Sequence, residues 1–309
     1  MMKSLGGAKR STAPAGVEET LGWEAEHRPR AGIAAIVAGL LTLAGAVIEG
    51  LSLRDVPNAP LVGALQGALQ GDPGRESQRV AVFEFFDDRI VQLSLSAVLP
   101  ALGFFALMPA LGYMYRATAA REPKIPRAAL ILGLVGPALL GLRAITSHFG
   151  LASEISGFLD GGDRSVAAAN DVGDSALVAA GPLMQLIGTL ATAFALIMIS
   201  LHAMRAGLLT RFMGILGMIS GVALALLPRN PVINFWLIAL GLLILGRWPG
   251  GVPSAWGSGR SEPWPSQQEL KERRQQAAAE PAGAAVTSGG DEGDEPGRPP
   301  LQKRKRKRR

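Results

Sequence analysis

Apolar residues in this chain do not alternate with polar ones; between positions 31 and 248 they collect in blocks, each closed by charged or turn-forming residues. The first block runs from Ala31 to Leu53 and closes at Arg54 and Asp55. The second, Ile90 to Tyr115, ends with Tyr113 and Tyr115 beside Arg116, an aromatic and basic grouping suited to the headgroup level. A third extends from Ala128 to Phe149 and a fourth from Ala176 to Ala203. Runs of about 18 or more residues with few charges are long enough to cross ~30 Å of bilayer core as helices. Two shorter blocks, Phe212 to Leu227 and Val232 to Gly246, are joined only by Pro228, Arg229, Asn230 and Pro231, and predict either two thin spans or one re-entrant hairpin. The pattern therefore predicts an all-α fold: a polytopic transmembrane helix bundle of about six spans with disordered cytoplasmic tails.

The domain plan follows from the same pattern. Residues 1–30 read as a cytoplasmic leader, mostly disordered, with no A-x-A-type site to mark a cleaved signal peptide. Residues 31–248 form the bundle, and 249–309 a Trp/Pro segment, a short helix at 266–280 and a disordered polybasic tail. Two connections are more than turns. In 55–89 the apolar positions Leu61, Val62, Leu65 and Leu69, then Val80, Phe83 and Phe86, recur at helical spacing, which predicts two amphipathic helices over the outer face. The connection 151–175 is acidic, with Glu154, Asp160, Asp163, Asp171 and Asp174 against Arg164 alone, and lacks the spacing of a calcium loop. Lys and Arg crowd the leader, the turn from Arg116 to Arg127, and Arg205 with Arg211; this bias predicts both termini on the cytoplasmic side.

Composition narrows the chemistry. Of the 309 residues 48% are hydrophobic, and cysteine is absent, which removes disulfides, thiolate metal sites and cysteine nucleophiles. No nucleotide loop and no nucleophile with its base is present, so no enzyme is expected. His27, His148 and His202 are too dispersed to hold haem or a metal, and no cofactor is expected. The preference for Arg over Lys, with abundant Gly, Ala and Pro, fits a GC-rich bacterial genome, so the expected location is the bacterial cytoplasmic membrane.

Ionisable groups inside a span cost several kcal/mol unless paired or hydrated, which makes them candidates for function. Glu49 lies about 27 Å into the first span and Arg143 about 22 Å into the third, both entering from the inside, so the two opposite charges fall in the same half of the membrane and are placed to pair. With His148 one turn beyond Arg143, and Gln92, Gln185 and Asn234 as further lining, they form a candidate polar site. The structural alternative is an ion pair that locks two helices, or two side chains snorkelling to the interface. Prolines 100, 109, 137 and 182 are placed to break spans, and Gly133, Gly136, Gly141, Gly217 and Gly221 to allow close helix approach, within a bundle or a homo-oligomer.

The chain ends Lys303, Arg304, Lys305, Arg306, Lys307, Arg308, Arg309. Tethered to a membrane, seven cations bind anionic lipid at ~1 kcal/mol each. Nucleic acid is the runner-up and is not expected. Arg30-Ala31-Gly32-Ile33-Ala34 opening the first span, the Pro-broken helices, and the exit Gly246-Arg247-Trp248-Pro249 followed by Trp264-Pro265 resemble uncharacterised actinobacterial multi-pass membrane proteins of the DUF4386 type, over about residues 28–266. The resemblance implies a bacterial inner-membrane bundle and brings no catalytic residues; the long outer segment and the basic tail depart from it. The expected function is that of a non-enzymatic integral membrane protein, structural, regulatory or partner-binding. The alternative is a small-solute or proton-coupled transporter using Glu49 and Arg143.

Overall fold

The computed structural model describes residues 15–57, 76–227 and 231–264, with Glu269, Lys271, Glu272 and Gln275. The chain divides into a unit spanning Met1–Trp264 and a second, Pro265–Arg309, of which only those last four residues are described; all four are helical. The segment around Leu61 to Leu69, most of the 266–280 helix and the polybasic tail lie outside the described residues.

Every regular element described in the first unit is a helix: α1 (Ala15–Ser52), α2 (Val80–Asp88), α3 (Ile90–Ala119), α4 (Arg127–Asp160), α5 (Val166–Asp171), α6 (Ala176–Ala179), α7 (Gly181–Arg205), α8 (Arg211–Leu226), α9 (Val232–Ile244) and α10 (Ala255–Ser258). Four stretches, Gly16–Ser52, Ile90–Ala119, Arg127–Asp160 and Ala176–Arg205, are long and apolar enough to cross a membrane. Their outward faces carry Ile33, Leu40, Leu95, Ile131, Leu183 and Phe194, all substantially exposed. Contiguous apolar surface of this kind marks contact with lipid or another protein.

Six helices close a ring in the order α9, α1, α3, α4, α7, α8 and back to α9, with α3 also touching α7 across the interior. Glycines set several of the close approaches. A methyl group on Gly136 of α4 would stand 2.6 Å from the Thr192 nitrogen of α7, and one on Gly221 of α8 would stand 2.7 Å from the Ala193 carbonyl oxygen. Gly133, by contrast, has only ordinary van der Waals neighbours.

The helices depart from the sequence expectation at their ends. α1 begins at Ala15 and carries Pro29 within it, so the described part of the leader is helix rather than disordered chain. α4 runs on to Asp160, taking the first ten residues of the acidic connection 151–175 into a helix. Pro182 stands in the first turn of α7, where its missing N–H costs nothing, directly after the turn at Ala180 that interrupts the apolar stretch Ala176–Arg205, so it does mark a break within that stretch. Pro100, Pro109 and Pro137 do lie inside α3 and α4.

The two ends of the ring differ. At the end formed by the first turns of α1 and the last of α3, the interior is packed solid with Leu111, Met114, Ile199, Met213, Trp236 and Leu240, among others. The segment after α9 lies across this end. Trp256 and Trp264 donate their indole N–H to the Leu208 and Leu209 carbonyls at 2.9 and 2.8 Å, and the Glu262 amide donates to the Ala206 carbonyl at 3.1 Å. Gly207 makes this possible: it ends α7 at φ 78°, and a side chain there would collide with the Glu262 carbonyl. We call this the tryptophan end.

At the opposite end α2 packs Val80 and Phe83 against Ile155 and Phe158 of α4 and against Ala169 and Val172. Arg79 donates to the Ala169 carbonyl at 2.7 Å, and Ser77 to that of Arg164 at 2.8 Å. This small second core braces the far ends of α3 and α4.

Candidate functional site

The half of the ring away from the tryptophan end is hollow. A cavity of about 940 Å³ lies there, lined by α1, α3, α4 and α7 and by the facing ends of α8 and α9. That is near the upper limit of ~1,000 Å³ for small-molecule sites. The cavity wall mixes large apolar side chains such as Leu93, Phe104 and Leu140 with the small residues Ala46, Ala97, Gly103 and Ala144.

Glu49, Arg143, His148, Gln185 and Asn234 all line this cavity. Gln92 does not: it is exposed on α3, away from the lining, and the sequence expectation is corrected there. Thr42, Ser96, Ser147 and Asp87 join the polar lining unanticipated. Thr42 and Ser96 are polar residues within largely apolar stretches, so no local pattern sets them apart.

The polar groups are ordered by depth. At the floor, the Thr42 hydroxyl donates to Asn234 Oδ1 at 3.1 Å and to the Ala38 carbonyl at 2.7 Å, fixing α1 to α9. Gly45 packs on Pro100, so Glu49, one turn further along α1, stands level with the start of α3. There the Ser94 hydroxyl and His148 Nε2 share a hydrogen bond of 2.9 Å that ties α3 to α4. Arg143 is five residues before His148, about 7.5 Å deeper along α4. Asp87, in the last turn of α2, also lines the cavity.

Among the described residues the ion pairs do not include one between Glu49 and Arg143. Among the described residues Arg143 Nε is buried without a hydrogen-bond partner, as is Ser147 Oγ, one turn away on the same helix. Buried donors are almost always satisfied in folded proteins, so two on one cavity wall are a feature to explain.

Beyond the cavity, three residues of the acidic connection make local contacts at the α2 end. Asp163 accepts from the Ser165 amide at 2.9 Å, and this bond with the Ser165 hydroxyl holds its carboxyl below the ordinary range. Arg164 pairs with Glu84 at 2.9 Å, and Glu154 accepts from the Gly173 amide. Among the described residues no three His, Asp or Glu side chains come together as a metal site.

A second polar centre lies at the tryptophan end. Arg121 meets both carboxylate oxygens of Glu24, donates to the Ala255 carbonyl from Nε at 3.1 Å and Nη2 at 2.9 Å, and reaches the Ala117 carbonyl at 3.0 Å. Around it His27, Trp23, Tyr113 and Trp256 stack in series, with the Arg28 and Arg121 guanidinium groups over Trp256 and Arg116 over Trp23. The Arg121 guanidinium is fully engaged, and among the described buried donors here only one Arg28 nitrogen and the Tyr113 hydroxyl lack a partner, so this is a structural clasp. The signal available in sequence was the helical spacing of Trp23, Glu24, His27 and Arg28.

Against family models, curated proteins and solved structures, the chain finds no match, and the likeness to the DUF4386 type rests on the sequence motifs alone.

Proposed function

We propose that this chain is a non-enzymatic, multi-pass protein of a bacterial cytoplasmic membrane whose hollow half is the solute-binding vestibule of a transporter. The observation that carries this reading is the gathering of Glu49, Arg143, His148, Gln185 and Asn234 on one cavity of about 940 Å³. A polar cavity backed at one end by a packed core is the form expected of one end state of alternating access.

Six spans are proposed, because α8 and α9 take full places in the ring beside the four long helices. The clustering of basic residues near the tryptophan end supports placing that end, with both termini, on the cytoplasmic side, and the polybasic tail on anionic lipid.

The test is proton and ion flux in proteoliposomes for the native protein and for Glu49→Gln, with thermal stability of both recorded. Flux lost while stability is kept supports the reading. Absence of flux in both, with stability lost in the variant, removes transport and leaves a structural or regulatory membrane protein, the reading favoured by the sealed tryptophan end.

A further inference from the structure

Most polar side chains of the cavity wall are engaged within the protein. Thr42 is bonded to Asn234, His148 to Ser94, Gln185 to Thr189, and Ser96 to the Leu93 carbonyl. Of the two carboxylates on the lining, Glu49 has an interaction of its own, and Asp87 is exposed to solvent.

Arg143 and Ser147 differ. They stand one turn apart on α4, hence on one face of that helix, and both line the cavity. Among the described residues the buried Arg143 Nε and Ser147 Oγ have no hydrogen-bond partner, and no ion pair includes Arg143. A cation within a span is costly unless it is paired or hydrated. A guanidinium presents a rigid fork of donors that matches a carboxylate or phosphate, and the hydroxyl one turn away adds a neutral donor to the same head group. The lining holds no other Arg and no Lys among the described residues, so a second negative charge on the solute would meet no fixed cation.

The remaining wall sets the body of the solute. Leu93, Phe104, Leu140, Ile155 and Leu237 line it, and about 940 Å³ suits a drug-sized organic molecule, not a bare inorganic ion.

We infer that the cavity binds a monoanionic amphiphile, its single carboxylate or phosphodiester head held by Arg143 and Ser147 and its apolar body lying against the leucine and phenylalanine wall. The inference rests on the solute-binding reading above and names the class of solute. Such a head has two sources, a free organic acid or a lipid of the surrounding bilayer.

The probe is radiolabelled octanoate, bound to the full chain in nanodiscs of phosphatidylcholine, with empty nanodiscs as background and unlabelled octanoate, octanamide, octylamine, acetate and inorganic phosphate as competitors. Octanoate is expected to displace the label at about one-tenth of the concentration required of octanamide, as expected for one charge-assisted contact, and the other three to compete no better than the amide. Arg143→Gln is expected to weaken octanoate about tenfold and leave octanamide unchanged, and Ser147→Ala to weaken octanoate by about fivefold. Ala97→Phe, which fills the cavity from α3, is expected to weaken both. Circular dichroism and thermal unfolding verify that the variants fold. Nanodiscs that include phosphatidylglycerol separate the sources: loss of octanoate to that lipid assigns the site to a lipid head, and retention of octanoate assigns it to a free acid.

Equal binding of octanoate and octanamide, or octanoate binding unchanged in Arg143→Gln, overturns the anionic head while leaving a cavity that takes apolar solutes. Binding of neither, with no enrichment of phosphatidylglycerol over phosphatidylcholine in lipid extracted with the protein, overturns the inference outright, and in a protein without flux removes the vestibule as well.

Discussion

Arg121 and Glu24 form a two-pronged ion pair between α1 and the turn that follows α3, with side chains 0% and 4% exposed. Removing one partner of such a pair strands a buried charge, at about 3–5 kcal/mol. Glu24→Gln is therefore expected to lower the unfolding temperature in detergent sharply, whereas Glu24→Leu combined with Arg121→Met recovers most of the loss. A double variant as unstable as the sum of its singles contradicts this account.

The segment across the tryptophan end is held by indole donors. Trp264→Phe keeps the ring but deletes the bond to the Leu209 carbonyl, a loss of about 1 kcal/mol. Limited proteolysis is expected to cut residues 246–264 several-fold faster in this variant, with the ring helices unaffected.

That segment is also expected to respond to acid. The Ser254 and Ser258 hydroxyls hold the Glu262 carboxyl below its ordinary value. A carboxyl depressed in the folded state contributes stability above its unfolded value, and the contribution disappears as pH falls through the folded one. Proteolytic release of 246–264 is expected to accelerate as pH drops through the lower carboxylate range, and Ser254→Ala with Ser258→Ala to flatten that dependence. An unchanged pH profile in the double variant counts against the hydroxyls as its source.

Two glycines on neighbouring helices give opposite expectations. Gly136→Val drives a side chain into Thr192 and the Gly188 carbonyl and is expected to destabilise by about 1–3 kcal/mol through overpacking. Gly112→Ala on α3 meets nothing within 4 Å and removes a poor helix former, for a gain of up to about 1 kcal/mol. Paired thermal unfolding measures both; equal effects refute the packing assigned to α4 and α7.

The blocks of apolar residues announced α3, α4, α7 and the later part of α1, because lipid-facing helices need no polar stripe and their length alone identifies them. That Glu49 and Arg143 fall in the same half of the bundle, on one cavity, was legible from counting at ~1.5 Å per residue, since a helix converts sequence separation into distance. What counting does not supply is rotation about the axis. It left Gln92 among the lining although that side chain points away, and it passed over Asp87, Ser96 and Ser147. The start of α1 was hidden because Glu24, Glu26, Arg28 and Pro29 give a helix the composition of a polar leader. Its partner Arg121 lies 97 positions away, and no local pattern connects them.

All five tryptophans stand in the packed half. Trp23, Trp248 and Trp236 belong to or pack on its core, Trp256 and Trp264 bind the turn after α7, and none lines the cavity. Intrinsic fluorescence excited at the red edge therefore observes one half of the molecule and is silent about the other. A quenching or spectral shift on adding a solute reports a change transmitted through the ring, not contact with the solute. Phe104→Trp would place an emitter on the cavity wall, and comparing its response with that of the native indoles would time the coupling between the two halves.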